Sequence, residues 1–207
     1  MTPEDFVPAV REANKTELSR LGSSKALYAL TAGEMEPDAV LTAMADDHAA
    51  AAETYDGWAR SESGDAADLF ESAAEAERDA YETVAGELDA HEPGETPELY
   101  DAMAGAETTV ERLGAFVGRT LVAKANRSQA TGFFTGQADP QTASTFRGLG
   151  SDLEDHIADA VDRLDAVAED DDDWATAEAA ADEVVGAAYD DYFSTLEDLG
   201  VNPKPVC

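Results

Sequence analysis

The chain has 207 residues, with 46 Asp and Glu against 13 Lys and Arg and a net charge of −33, a length that suits one well-buried domain and is short for two. A surface this negative excludes nucleic-acid binding, which needs a basic footprint, and argues against docking on anionic membranes. Disorder is excluded as well, because 43% of residues are hydrophobic and Trp58, Trp174, Tyr55, Tyr81, Phe70 and Phe146 fall in periodic segments.

The charge reads instead as halophilic adaptation. A carboxylate coat stays hydrated in molar salt, where the Debye length of about 3 Å screens its self-repulsion. Nine of the basic residues are Arg and only Lys15, Lys25, Lys124 and Lys204 are lysines. Asp and Glu interleave with Ala along helices rather than forming one block. No leader-like segment opens the chain, and no run approaches the roughly 18 apolar residues of a spanning helix, so the expected location is the cytoplasm. The one cysteine, Cys207, leaves no intramolecular disulfide and no cysteine metal cluster.

Proline and glycine divide the chain into about six helices. Thr2-Pro3, Thr96-Pro97 and Asp139-Pro140 each place a capping side chain before a first-turn proline, Pro37 opens another helix, and Gly33, Gly136 and Gly200 fit helix ends. The segments are 3–32, 37–62, 65–90, 97–135, 140–168 and 173–199. Nothing alternates like a strand, so the fold class is all-α: an antiparallel bundle forming a single domain over residues 1–200, with a short extended tail at 201–207. Arg20-Leu21-Gly22 recurs as Arg112-Leu113-Gly114, and Ala45-Asp46-Asp47-His48 resembles Leu153-Glu154-Asp155-His156, which suggests two three-helix pseudo-repeats.

Two apolar stripes each carry one polar residue. The second helix presents Val40, Met44, His48, Ala51, Tyr55 and Trp58; the third presents Phe70, Ala74, Glu77, Tyr81, Val84 and Leu88. A tight turn at Ser61-Glu62-Ser63-Gly64 makes them antiparallel. His48 and Glu77 each lie about 15 residues from it, roughly 22 Å along each axis, on facing sides. Tyr55 and Phe70 pair by the same count. Such a buried imidazole and carboxylate either satisfy each other as a core pair or hold a metal together. His156 flanks the stripe Leu149, Leu153, Ala160 and Leu164 and would approach His48 if the halves pack symmetrically. Glu17, on a stripe of Phe6, Val10, Ala13, Leu21 and Tyr28, is a fourth candidate ligand. His91, beside Glu92-Pro93-Gly94, reads as a solvated loop residue.

The stretch Ala67-Asp-Leu-Phe-Glu-Ser-Ala-Ala-Glu-Ala-Glu-Arg-Asp-Ala80 resembles the helix of the rubrerythrin family, within the ferritin-like superfamily, that bears a Glu-x-x-His ligand pair. His48-Ala-Ala-Ala-Ala-Glu-Thr-Tyr55 is similar to the preceding helix of that family, and Phe146 to His156 echoes the second ligand-pair helix. The resemblance implies a ferritin-like bundle and an iron centre built from carboxylates of four helices plus two histidines. It also locates departures. Glu77 is kept, but Ala80 stands where its histidine partner belongs; His156 is kept, but Leu153 stands where its glutamate belongs. No pair of Cys-x-x-Cys motifs is present for a rubredoxin iron.

The acid coat is interrupted twice. Residues 18–33 contain no Asp or Glu, and 112–150 contain only Asp139 against Arg112, Arg119, Lys124, Arg127 and Arg147. Three readings stay open: two buried helices whose arginines reach acidic neighbours; a subunit interface centred on Gly132-Phe133-Phe134; or an anion pocket of Arg119, Lys124, Arg127 and Gln129. Gly114 and Gly118 are spaced for close helix approach.

The functional expectation is a bundle without a complete di-iron centre that acts by oligomerisation or partner binding through residues 112–150. The competing expectation is a metal-dependent peroxidase or oxidase holding iron or another transition metal at His48, Glu77 and His156. A small-anion binder is the third.

Overall fold

A computed structural model describes residues 1–94 and 96–203. Among these the chain is all α-helical, in ten segments: α1 (Pro3–Ala13), α2 (Lys15–Leu21), α3 (Ser24–Leu30), α4 (Pro37–Ser61), α5 (Asp65–Ala85), α6 (Leu99–Ala104), α7 (Thr109–Gly136), α8 (Pro140–Leu149), α9 (Leu153–Val167) and α10 (Asp171–Asp198). None is long and apolar enough to cross a membrane.

The rise from six expected helices to ten has local causes. The first segment breaks at Asn14 and at Gly22-Ser23, and the fifth at Gly150–Asp152. The fourth stops at Gly105 and restarts with a capping box. There the Thr108 hydroxyl accepts from the Glu111 N–H at 3.2 Å, and the Glu111 carboxylate accepts from the Thr108 N–H at 2.8 Å. Asp139 caps α8 through the Thr142 N–H at 3.1 Å, as expected. Pro97 instead lies two residues before α6, and Thr2 makes no side-chain cap.

The α4–α5 turn needs Gly64, whose φ of 62° suits a residue without Cβ. Contacts along the helices fix their directions. Glu62 meets Arg112 and Asp47 meets Arg119, so α7 runs antiparallel to α4 and parallel to α5. Residues 86–94 and 96–108, with α6, therefore cross back along the bundle. Lys124 meets Glu154 and Arg163 meets the Asp65 carbonyl, so α9 returns antiparallel to α7. On the far side α10 lies parallel to α7, with Gly114 against Ala177 and Gly118 against Ala181. Helix α1 runs along α10 from the Phe6–Trp174 ring contact (5.6 Å) to the Asn14–Asp182 hydrogen bond.

Helix α7 is thus enclosed by α4, α5, α9 and α10. Most of its first five turns are buried, which accounts for the missing acid coat there. The pseudo-repeat is not seen. Arg20-Leu21 closes α2 whereas Arg112-Leu113-Gly114 opens α7, and His48 is mid-helix in α4 whereas His156 is in the first turn of α9. The tail is packed as far as it is described: Pro203 is buried and its carbonyl accepts from Tyr192 Oη at 3.2 Å. Lys204 and Cys207 lie outside the described residues.

Candidate functional site

The stripe of α4 turns inward as expected, with Val40, Met44, His48, Ala51, Tyr55 and Trp58 all buried. On α5, Phe70, Ala74, Glu77 and Val84 are buried, Tyr81 is half-buried, and Leu88 falls beyond the helix end. Tyr55 and Phe70 meet through Phe116, whose ring lies 5.0 Å from one and 6.1 Å from the other. Below this aromatic layer His48 Nδ1 and Glu77 Oε2 stand 2.5 Å apart, both side chains shielded from solvent.

Helix α7 completes the site. Arg119, 1% exposed, donates from Nη1 to Glu77 Oε1, from Nη2 to Asp47 Oδ2 at 2.9 Å and from Nε to Tyr100 Oη at 3.2 Å. Its guanidinium also sits over the Tyr55 ring at 5.8 Å. Arg127 Nη2 donates to Glu77 Oε1 at 2.8 Å and Oε2 at 3.1 Å, and Nη1 donates to the Leu149 carbonyl at 2.5 Å. Tyr100 Oη lies 2.7 Å from Asp47 Oδ1 and 2.8 Å from the Asp47 carbonyl, so its proton has two acceptors. Two carboxylates and two guanidiniums balance each other in the dry interior, as the cost of burying an unpaired charge demands.

These environments hold four of the groups in one state. Burial by itself raises the Glu77 pKa, but Arg119, Arg127 and the His48 hydrogen bond outweigh it and hold the carboxyl well below the ordinary carboxylate value. Burial pushes the Tyr55 and Tyr100 hydroxyls upward against the opposing pull of Arg119. Burial disfavours charge on Arg119 too, yet Glu77, Tyr100 and Asp47 keep it firmly protonated. None of these four groups is tuned to exchange a proton near neutral pH, which general acid–base catalysis requires.

An iron centre does not fit this set. Both oxygens of Glu77 already accept from guanidiniums, and a cation beside Arg119 and Arg127 would meet two fixed positive charges at contact. His156 is half-buried in the first turn of α9 and Glu17 half-buried on α2; among the described residues neither is hydrogen-bonded or ion-paired to His48 or Glu77. No group of three His, Cys, Asp or Glu among those residues is placed to share a metal. Among the described residues, His48 Nε2, Tyr55 Oη and Arg127 Nε are left without hydrogen-bond partners in the interior.

The acid-poor stretch likewise resolves into separate parts. Arg119, Arg127 and Phe134 point into the core, which corrects their expected place on an interface or in an anion pocket. Arg112 pairs with Glu62 at 2.6 Å, Lys124 pairs with Glu154, and Phe133 is half-buried against the Phe134 ring at 5.1 Å. Gln129 donates to the Gly22 carbonyl at 2.6 Å. The reading that buried arginines reach acidic neighbours describes Arg119 and Arg127 directly.

Two participants escaped the sequence reading: Asp47, which adjoins His48, and Tyr100, which lies on the crossover. The two inward arginines, at positions 119 and 127, are eight apart, about two turns, on one face of α7. His91 is also corrected. Its side chain is 4% exposed, with Nε2 3.0 Å from Asp46 Oδ1 and Nδ1 3.3 Å from Tyr81 Oη, so it pins the crossover to α4 and α5. Compared with protein-family models, characterised proteins and solved structures, the chain matches none.

Proposed function

We propose that this chain is a ferritin-like, rubrerythrin-related bundle of a salt-rich cytoplasm in which two arginines take the place of the metal, and that it works by self-association rather than by turnover. The observation that carries the reading is the occupation of Glu77 by Arg119 and Arg127. A family iron site would present inward carboxylates from each helix of α4, α5, α7 and α9; here α7 contributes guanidiniums at that level, and the positive charge comes from side chains. The helix directions support the kinship, since an antiparallel pair, a long crossover and a second antiparallel pair describe ferritin-like connectivity.

The surface for association is the groove between α2 and α7. Leu18, Leu121 and Ala125 floor it, Arg11, Lys15 and Lys124 rim it, and no carboxylate lines it; its volume is about 460 Å³. Each rim cation already holds a carboxylate of its own chain, Arg11 and Lys124 on Glu154 and Lys15 on Glu12, so the apolar floor carries the association with a second copy.

Metal analysis of untagged protein purified in molar KCl without chelator tests the first part. Negligible iron, manganese and zinc in a folded protein is expected; stoichiometric metal lost in His48→Ala/Glu77→Ala would restore the oxidase reading. Light scattering tests the second. Oligomers that dissociate in Leu121→Glu and Lys124→Glu are expected, and a strict monomer at every concentration would end the self-association reading.

A further inference from the structure

A cleft opens where the end of α3, the start of α4 and the last turns of α10 meet the crossover. Its volume is about 780 Å³, and Glu34, Glu36, Asp38, Asp46, Glu98 and Asp191 line it with no cationic side chain among the described residues. In a chain this acidic, carboxylates alone would say little. The cleft, however, continues inward, because Ala29, Leu30, Pro97, Asp191 and Thr195 line both it and a second chamber of about 40 Å³.

That inner chamber differs in kind. Leu21, Leu99, Val122 and Tyr192 give it apolar walls, and Asp47 and Asn126 stand among them. Asp47 is committed to Arg119 and Tyr100. Asn126 is 9% exposed and its amide makes no hydrogen bond among the described residues. The side chain is thus nine-tenths buried, and its amide lines the chamber with its hydrogen-bonding capacity open to a bound group. Asp191 stands where chamber and cleft join, its carboxyl pushed up by burial and by the neighbouring charge of Glu98, and its environment therefore favours an added cation.

We propose that this two-part cavity binds a linear organic diamine or polyamine. One ammonium enters the chamber to reach the Asn126 carbonyl oxygen and the Asp191 carboxylate, the alkyl stem lies against Leu30 and Pro97, and a further ammonium remains among the outer carboxylates. A divalent metal suits the chamber poorly. It would want about six oxygen ligands, whereas the walls are mostly hydrocarbon. An alkylammonium uses both the walls and the charge. Because molar salt screens the outer carboxylates, selectivity rests on the enclosed part of the site, which is screened least.

The test is isothermal titration of the full-length protein with diaminopentane and with spermidine in molar KCl. One saturable site is expected, with affinity at least tenfold weaker in Asn126→Leu and also in Asp191→Asn, each checked for an unchanged circular-dichroism spectrum. Aminopentane, which has one ammonium, is expected to bind at least tenfold more weakly than diaminopentane. Absence of saturable binding would overturn the proposal. So would wild-type affinity in either variant, or displacement of the diamine by an equal concentration of MgCl₂.

Discussion

Arg127 on α7 and Glu77 on α5 are joined by two hydrogen bonds from one guanidinium nitrogen, at 2.8 and 3.1 Å, with both side chains all but sealed from solvent. Glu77 is the hub of the network, since His48 and Arg119 converge on it too. Glu77→Gln keeps the shape and removes the charge, leaving Asp47 alone to balance Arg119 and Arg127. Breaking a buried pair in this way costs about 3–5 kcal/mol. Urea unfolding in molar KCl should show a loss of that size. Replacing Asp47, Glu77, Arg119 and Arg127 together by Leu or Met should be less harmful than Glu77→Gln alone, because no charge is then left unpaired.

The same carboxylate sets an acid limit. Its folded pKa is depressed below the ordinary 4.5 by Arg119, Arg127 and the His48 hydrogen bond, which overcome burial. The stabilisation is therefore present above the unfolded value and disappears as pH falls through the folded one. The stability difference between wild type and Glu77→Gln should be constant from neutral pH to about 4.5 and should narrow steadily below it. A difference that widened on acidification would contradict the depressed pKa.

Gly114 lets α7 and α10 touch. A Cβ there would stand 2.1 Å from the Ala177 carbonyl oxygen, and at Gly118 the corresponding distance to Ala181 is 2.6 Å. Both obstacles are backbone, so neither can swing aside. Gly114→Ala should destabilise by about 3 kcal/mol, at the upper end for overpacking, because the helices must separate. Gly132, on the same helix with nothing within 4 Å, provides the control. There Gly→Ala should stabilise by about 0.5–1 kcal/mol through backbone entropy alone. Thermal unfolding of the two variants should move in opposite directions.

Legibility followed the range of the interactions. The His48–Glu77 contact could be read because a four-residue turn ties α4 to α5, and counting residues from a fixed hinge gives depth along both axes. Arg119 and Arg127 reach the same level only after the crossover, whose path depends on Tyr100 and His91 finding Asp47 and Asp46. No short-range pattern encodes those meetings. One reading of the acid-poor stretch already had buried arginines reaching acidic neighbours, but nothing in the residues named Glu77 and Asp47 as those neighbours. The extra helix breaks at Gly105 and Gly150 lacked the proline that marked the others, although the Thr108–Glu111 capping box was present in the residues.

Salt should act on the shell and spare the network. Most of the 46 acidic residues face solvent, where their repulsion is screened within about 3 Å at 1 M salt. The melting temperature should rise steeply with KCl up to the molar range. The loss caused by Glu77→Gln should vary far less over that range, because its partners are enclosed. Parallel titrations of both proteins would separate the two kinds of electrostatics, and a stability independent of salt would remove the halophilic reading.

Asp191 offers a contrast in sign to Glu77. Burial, then the charge of Glu98, raises its carboxyl above the ordinary 3.8. A carboxyl whose folded pKa is raised contributes most at low pH, and that contribution is lost as pH rises through the folded value. At neutral pH the ionised group therefore opposes folding. Asp191→Asn should raise the melting temperature at pH 7, and the gain should shrink on acidification towards the ordinary carboxylate range. If the cleft takes a cationic amine, the same variant should be more stable yet bind the diamine less well, the pattern expected where a strained charge is kept for a ligand. A variant less stable than wild type at pH 7 would show instead that Asp191 is held by its Thr195 hydrogen bond, at 3.5 Å, rather than opposed by Glu98.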